Sequence, residues 1–207
     1  MHLRKKSKNQ KKFIYLQPFI LLLRLYNKEL KLSVSVVSIS EVSLIQQVIR
    51  KDRLAQKQLF DQFASKMLST CRQYMKDLHE AEDVMLCGFM KVYQNIEQYR
   101  NEGSFEGWIR RIMIRECISH LRAKKEMVFI EDAHQSLLQH EVVEMEDTDD
   151  YQKWIDRLPK GCRYVFVLSV IEGYKHHEIA QMLQISVGTS KSQLAYAKKL
   201  LKEQIER

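Results

Sequence analysis

After Glu41, apolar positions recur every three or four residues over most of the chain, the period of helices that bury one face. Leu44, Val48 and Ile49, followed by Leu54, Leu59, Phe60 and Phe63, predict two amphipathic helices broken near Lys51-Asp52. Met67, Leu68, Cys71 and Met75 predict a third over about Ser65–Leu78. Ala81, Met85, Phe89, Val92 and Ile96 mark the buried stripe of a helix from Ala81 to about Gln98. The next starts on Ser104 as its cap, runs to about Lys125 and is apolar through Trp108 and Ile112. Near the other end, Tyr151, Trp154, Ile155 and Leu158 predict a short helix stopped by Pro159, and Cys162–Glu172 an apolar one stopped by Gly173.

The stretch Gly173–Leu201 then reads as two helices around a tight turn. Ile179, Ala180 and Leu183 give the first an apolar face, and Gln184 and Ile185 make the turn. Ser186 caps the second by accepting from the backbone N–H of Thr189, and Val187, Leu194, Ala197 and Leu201 face inward. Ser192, Tyr196 and Lys199, with Thr189 near the start, lie on the far side. A short helix, a short turn and a second helix with a polar, basic face describe a helix-turn-helix that reads DNA. The fold class expected is all-α: a helical bundle at 41–125 and a helix-turn-helix domain at 151–207, joined by a flexible linker at 126–150.

Two outer faces change the picture. On the helix from Ala81, the side opposite the stripe carries Asp83, Cys87, Met90 and Gln94 with Leu86 on its flank, which is more apolar than solvent favours and marks a partner site. After it comes Gln98–Trp108, a loop with two glycines and three aromatics. Arg111, Arg115 and Arg122 line one side of the following helix. Aromatic rings in a loop beside an arginine stripe can hold unstacked bases and their phosphates. Trp108 is expected to pack inward, leaving Tyr99, Arg100 and Asn101 available.

Composition supports the helical reading, since six glycines and two prolines among 207 residues leave few turns for strands. The four cysteines stand far apart without metal-ligand spacing, so free thiols are expected and no metal or cofactor. The net charge of +8 is unevenly placed: residues 1–40 carry +8, 41–125 carry +4, 126–150 carry −9 and 151–207 carry +5. Two mildly basic modules are thus joined by an acidic strap. Residues 1–40 hold a lysine-rich start and the apolar run Phe13–Leu23, interrupted by Pro18 and followed by Arg24. The run is too short to span a membrane and lacks a clear cleavage site, so this stretch is read as the product of a mis-assigned start codon. A genuine disordered or membrane-adhering extension is the alternative.

Two motif clusters resemble the bacterial sigma-70 family of RNA polymerase sigma factors, in its small extracytoplasmic-function branch. Ala81-Glu82-Asp83-Val84, Gly88–Tyr93 and Glu102–Ile112 are similar to the family's region 2. Leu158-Pro159, Gly173-Tyr174, Glu178-Ile179-Ala180, Ile185–Thr189 and Lys191-Ser192 are similar to its region 4, and the wording of both is closest to factors of Bacteroidetes-type bacteria. The resemblance covers roughly residues 41–207 and implies a transcription initiation factor that binds core RNA polymerase and promoter DNA in the cytoplasm. It implies polymerase contact at Asp83, Leu86, Cys87, Met90, Lys91 and Gln94. It implies contact with the −10 element through Tyr99, Arg100, Asn101, Phe105, Arg111 and Arg115, and with the −35 element through Thr189, Lys191, Ser192, Ala195, Tyr196 and Lys199. An anti-sigma partner is typical of the family, though no residue here shows one. Where the family usually has Gln-Glu this chain has Leu86-Cys87, and Arg115 stands where an Asn is common. Gln193, Ala195 and Tyr196 replace larger or basic residues, so −35 preference does not transfer.

A stand-alone helix-turn-helix regulator would need only residues 151–207, and the apolar face at Leu86–Met90 and the loop at Tyr99 argue against it. An enzyme would need clustered acids or histidines beside a cleft. His176 and His177 are adjacent on a helix and cannot share a face, and the dense acids lie in the strap, so no catalytic residue is expected.

Overall fold

The computed structural model describes residues 39–124 and 151–205, which form eight helices and no strand. The expected strap at 126–150 lies outside the described residues, as does the stretch 1–40 read as a mis-assigned start, apart from Ile39 and Ser40, which begin the first helix. The first module holds α1 (Ile39–Ile49), α2 (Arg53–Arg72), α3 (Leu78–Asn95) and α4 (Phe105–Ala123), with a 3-10 turn at Ile96–Gln98. The second holds α5 (Tyr151–Arg157), α6 (Lys160–Phe166), α7 (His176–Leu183) and α8 (Val187–Ile205).

Each long helix of the first module begins on a side-chain oxygen that satisfies free backbone N–H groups. Asp52 accepts from the N–H of Leu54 at 2.8 Å and of Ala55 at 3.1 Å, Asp77 from Glu80 at 2.8 Å, and Ser104 from Gly107 at 3.1 Å. The break at Lys51-Asp52 is where expected, with Lys51 left-handed at φ 62°. The helix expected from Ser65 does not exist as a separate element. Ala55, Leu59, Phe63, Met67 and Cys71 form one unbroken buried stripe at four-residue spacing, so α2 continues to Arg72. Leu54, assigned to that stripe, is 79% exposed on the first turn.

Helix α3 packs against α4 and α2, burying Ala81, Met85, Phe89, Val92 and Ile96 as its pattern requires. At its middle, Gly88 lies so close to α4 that a Cβ there would fall 2.2 Å from the Met113 sulfur, and Met113 is fully buried. In the second module α6 and α7 pack on α8. The helix expected at Cys162–Glu172 starts earlier and changes pitch, since α6 gives way to a π turn over Val167–Ile171. Gly161–Leu168 are all buried, so this segment is covered on every side.

The two modules touch, and their buried apolar residues form one continuous cluster. Arg110 on α4 clasps Glu172 through both Nε (2.9 and 3.1 Å) and Nη2 (2.5 Å). Arg72 on α2 donates from two nitrogens to Asp156 on α5, at 2.6 and 3.0 Å. Arg163 on α6, 2% exposed, donates from Nη2 to the Tyr74 carbonyl at 2.8 Å and stands 3.6 Å from Asp156.

Two predictions follow from the packing of α3 on α4. Gly88→Val adds carbon against the buried Met113 side chain, which must shift within a filled core, and overpacking of this kind costs about 1–3 kcal/mol. Thermal unfolding of that variant should show a lowered midpoint. At the other end of α3, Glu80 accepts from His120 at 2.7 Å and Lys124 at 2.5 Å on α4. Burial would raise its carboxyl, but the hydrogen bonds from Lys124 and His120 hold it below its ordinary value of 4.5. A carboxyl lowered on folding stabilises above the unfolded value and loses that contribution as pH falls through the folded one. The stability gap between the parent chain and Glu80→Gln should therefore be widest above pH 4.5 and close below it, read by thermal unfolding across pH.

Candidate nucleic-acid interface

Three surfaces stand on this frame. The first is the outer face of α3. Asp83, Leu86, Cys87, Met90 and Gln94 are all exposed, with Leu86 at 49% and Met90 at 58%, because the stripe turned toward α2 and α4 leaves them outside. Lys91 is exposed at its edge and ion-paired with Glu116 of α4, so its ammonium is already neutralised.

The second surface is the recess between the 3-10 turn and α4. Its volume is about 240 Å³, and Gln98, Tyr99, Arg100, Trp108, Arg111 and Arg115 contribute to its lining. The loop is held in shape by backbone and ring contacts together. Asn101 (φ 58°) and Gly103 (φ 99°) both take left-handed conformations, which Asn and Gly tolerate best. The Tyr99 hydroxyl donates to the Gly103 carbonyl at 2.8 Å and closes the turn. Tyr99, Phe105 and Trp108 form a three-ring cluster, with centroids 4.9 to 5.8 Å apart and Phe105 stacked on Trp108 at 11°. Burial and then the charge of Glu41 push the Tyr99 phenol above its ordinary value, so it stays a neutral hydrogen-bonding ring.

Of the residues assigned here from sequence, Tyr99, Arg100, Arg111 and Arg115 line the recess, whereas Asn101 and Phe105 do not. Tyr99 is half-buried, Arg100 and Asn101 are exposed, and Arg111 and Arg115 are exposed one turn apart on α4. Phe105 is 1% exposed, because the first turn of α4 points it into the core against Phe63, 5.8 Å away. It supports the recess from behind and cannot touch a ligand there. Trp108 packs inward only in part, being half-buried with its ring beside Tyr99.

The third surface is the exposed side of α8. Gln184 ends α7 in a left-handed turn (φ 57°). Ser186 accepts from the Thr189 N–H at 2.9 Å, so α8 is capped as its sequence indicates. His176 and Ser190, 2.9 Å apart, tie α7 to α8. Lys191, Ala195 and Lys199 are exposed at i, i+4 and i+8 along one line, flanked by the half-buried Ser192 and Tyr196. Thr189 is half-buried with its hydroxyl on Ser186. Gln193 faces the opposite way, 2% exposed, and accepts from the Cys162 thiol at 2.9 Å, where burial pushes the thiol up to about 12. Val187, expected inside, is 41% exposed, since the turn before α8 lifts its first residue off the core. What the pattern along the chain missed is the seam between modules. Arg163 within an otherwise apolar run was the one signal of it.

These features define a two-module helical protein with an exposed apolar face on α3 and an exposed basic face on α8. Residues 59–126 match the family model for Sigma-70 region 2, and residues 148–201 that for Sigma-70, region 4. Together the matches span more than half of the chain, which belongs to the sigma-70 family, in its extracytoplasmic-function branch, and is a transcription initiation factor. It is 28% identical over 176 residues to the ECF RNA polymerase sigma factor SigW of Bacillus subtilis, covering 78% of this chain and 94% of that one. It is 26% identical over 178 residues to the RNA polymerase sigma-H factor of Pseudomonas aeruginosa, covering 79% and 92%. Among solved structures it is similar to the sigma factor RpoE of Bartonella quintana in complex with the anti-sigma factor NepR. That match has TM-score 0.46 and 21% identity, and covers 72% of this chain and 96% of that one. Among the described residues no helix is long and apolar enough to cross a membrane.

The cap of α8 generates a prediction. Replacing a Ser N-cap by Ala costs about 0.5–2 kcal/mol, so Ser186→Ala should lower the thermal midpoint and fray the first turn of α8. Amide exchange at Thr189, whose N–H loses its acceptor, is the direct measurement.

Proposed function

We propose that this chain docks on core RNA polymerase through the outer face of α3 and uses the two remaining surfaces to read the −10 and −35 promoter elements. The observation that carries the reading is the exposed Leu86–Met90 patch on the helix that leads into the aromatic recess. A lone DNA reader has no use for that patch, whereas a protein that must ride on a larger machine needs it. Asp83 and Gln94 give the patch a polar rim, and Lys91 sits at its margin with its charge engaged by Glu116. Leu86 and Cys87 stand where the family usually has Gln-Glu, so this docking relies more on apolar burial and less on polar and ionic contact.

The recess at Tyr99 has the chemistry to receive one unstacked base. Tyr99 and Trp108 offer ring faces, Gln98 a hydrogen-bond donor and acceptor, and Arg111 and Arg115 the charge for the flanking phosphates, with Asn101 exposed on the loop beside them. Holding a base outside the duplex stabilises the open strand without covalent chemistry, which suits a factor that is not an enzyme. On α8, the line Lys191, Ala195 and Lys199, with Ser192 and Tyr196 beside it and Thr189 at its start, suits the major groove of the −35 element. Such a protein works where the polymerase is, in the cytoplasm. The wording of its two motif clusters is closest to factors of Bacteroidetes-type bacteria, which supports a source of that kind.

The test is promoter-specific transcription with purified core polymerase. Stimulation on at least one genomic template is expected, and none on any template would reject the reading. Asp83→Lys combined with Met90→Lys should abolish co-purification with core polymerase while the helical circular-dichroism signal stays unchanged. Retained co-purification would move the docking face elsewhere.

A further inference from the structure

Among the described residues of the second module, Val187 is the one large apolar side chain left exposed, at 41%. An exposed valine means little alone, but this one is in register with charge. Val187, Lys191, Ala195 and Lys199 recur at every fourth residue of α8, and all four are exposed. The outermost line of the helix therefore alternates apolar and cationic side chains.

The other polar side chains of this face are engaged within the protein. The Thr189 hydroxyl lies 2.9 Å from that of Ser186, and the Ser192 hydroxyl donates to the Thr189 carbonyl at 3.1 Å. Tyr196 packs against the core. Burial and then the charges of Cys162 and Glu203 raise its phenol, in keeping with a ring laid back along α8. Gln193 is turned inward to the Cys162 thiol. What is left to meet a partner arriving from outside is the line that starts at Val187.

That line has the chemistry and the spacing of base edges in a major groove. Four residues of α-helix rise about 6 Å, and two stacked base pairs about 6.8 Å, so successive members of the line meet base pairs two apart. A lysine ammonium donates to the O6 and N7 acceptors of guanine, and an apolar side chain meets the C5-methyl of thymine. Bases are read from the N-terminal part of a recognition helix, where Val187, Lys191 and Ala195 lie. Lys199 stands about 18 Å further along the axis than Val187, at a distance suited to the phosphates that position the helix.

We propose that Val187, Lys191 and Ala195 are the base-reading residues of α8, with Lys191 on a guanine and the two apolar side chains on thymine methyls about two base pairs to either side. Val187 thereby joins the DNA-contacting set, while Thr189, Ser192 and Tyr196 shape the helix surface and read no base. The inference rests on the function proposed above, in that α8 must be the helix that enters the groove.

The test uses holoenzyme formed from the full-length chain and purified core polymerase, offered promoter duplexes with a randomised −35 region. The selected element should hold a G·C pair with an A·T pair about two positions to either side. In that duplex 7-deazaguanine, which lacks the N7 acceptor, should weaken binding about fivefold. Uracil in place of either thymine removes one methyl and should weaken binding about fourfold. Lys191→Ala should abolish the effect of 7-deazaguanine, and Val187→Gly and Ala195→Gly should each abolish the effect of uracil at one of the two positions. Each readout is a ratio between two duplexes bound by the same protein, so a loss of stability in a variant does not move it, and the wild-type ratios stand without any variant. A selected element indifferent to both analogues would overturn this inference and leave the proposed function standing, and so would sensitivity that survives in all three variants. Failure to select any −35 element would reject the role proposed for α8 and the inference with it.

Discussion

The close approach of α3 to α4 is the constraint on which the rest depends. Gly88 has no side chain, Met113 fills the space it leaves, and the two helix axes come together there. That approach turns the stripe from Ala81 to Ile96 wholly inward and leaves Leu86 and Met90 in water. It also sets where α3 ends, and hence where the 3-10 turn and the Tyr99 loop stand relative to Arg111 and Arg115. A wider crossing would separate the exposed apolar face from the recess. One packing contact thus fixes the placement of two surfaces that share few residues.

The recess shows how rigidity and access are combined in a short loop. Two left-handed residues, Asn101 and Gly103, reverse the chain, and the Tyr99 hydroxyl bonds across the reversal. Behind it, Phe105 is anchored in the core and carries Trp108 on its face. The ring that is buried and the rings that are accessible therefore belong to one stacked unit. A ligand meeting Tyr99 meets a surface whose position is fixed by the core rather than by the loop alone, which reduces the ordering entropy lost on binding.

Charge is used differently in the two halves. On α8 the lysines at 191 and 199 project into solvent, suited to phosphates that arrive from outside. On α4, neighbouring arginines have different fates: Arg111 is exposed, while Arg110 is turned into Glu172 with only 14% of its side chain exposed. One helical step of about 100° is enough to separate a solvent-facing charge from a structural one. The balance between the modules rests on partly buried ion pairs, whose net worth is small because desolvation opposes attraction.

Local sequence determined the helices, most of their caps and the outward faces, because periodicity and capping depend on residues within a few positions of one another. Asp52, Ser104 and Ser186 sit where the chain needs an acceptor, and the helix-turn-helix was legible for the same reason. Where the pattern misled, a neighbour in space decided. Two apolar stretches merged into α2 because their stripes are in phase, Phe105 was drawn into the core beside Phe63, and Val187 was left outside by the turn before it. Which arginine meets Glu172, and that the two modules meet at all, required the tertiary structure. Arg110, Arg111 and Arg115 are alike as sequence, and only the docking of a residue 62 positions away makes one a clasp and leaves the others exposed.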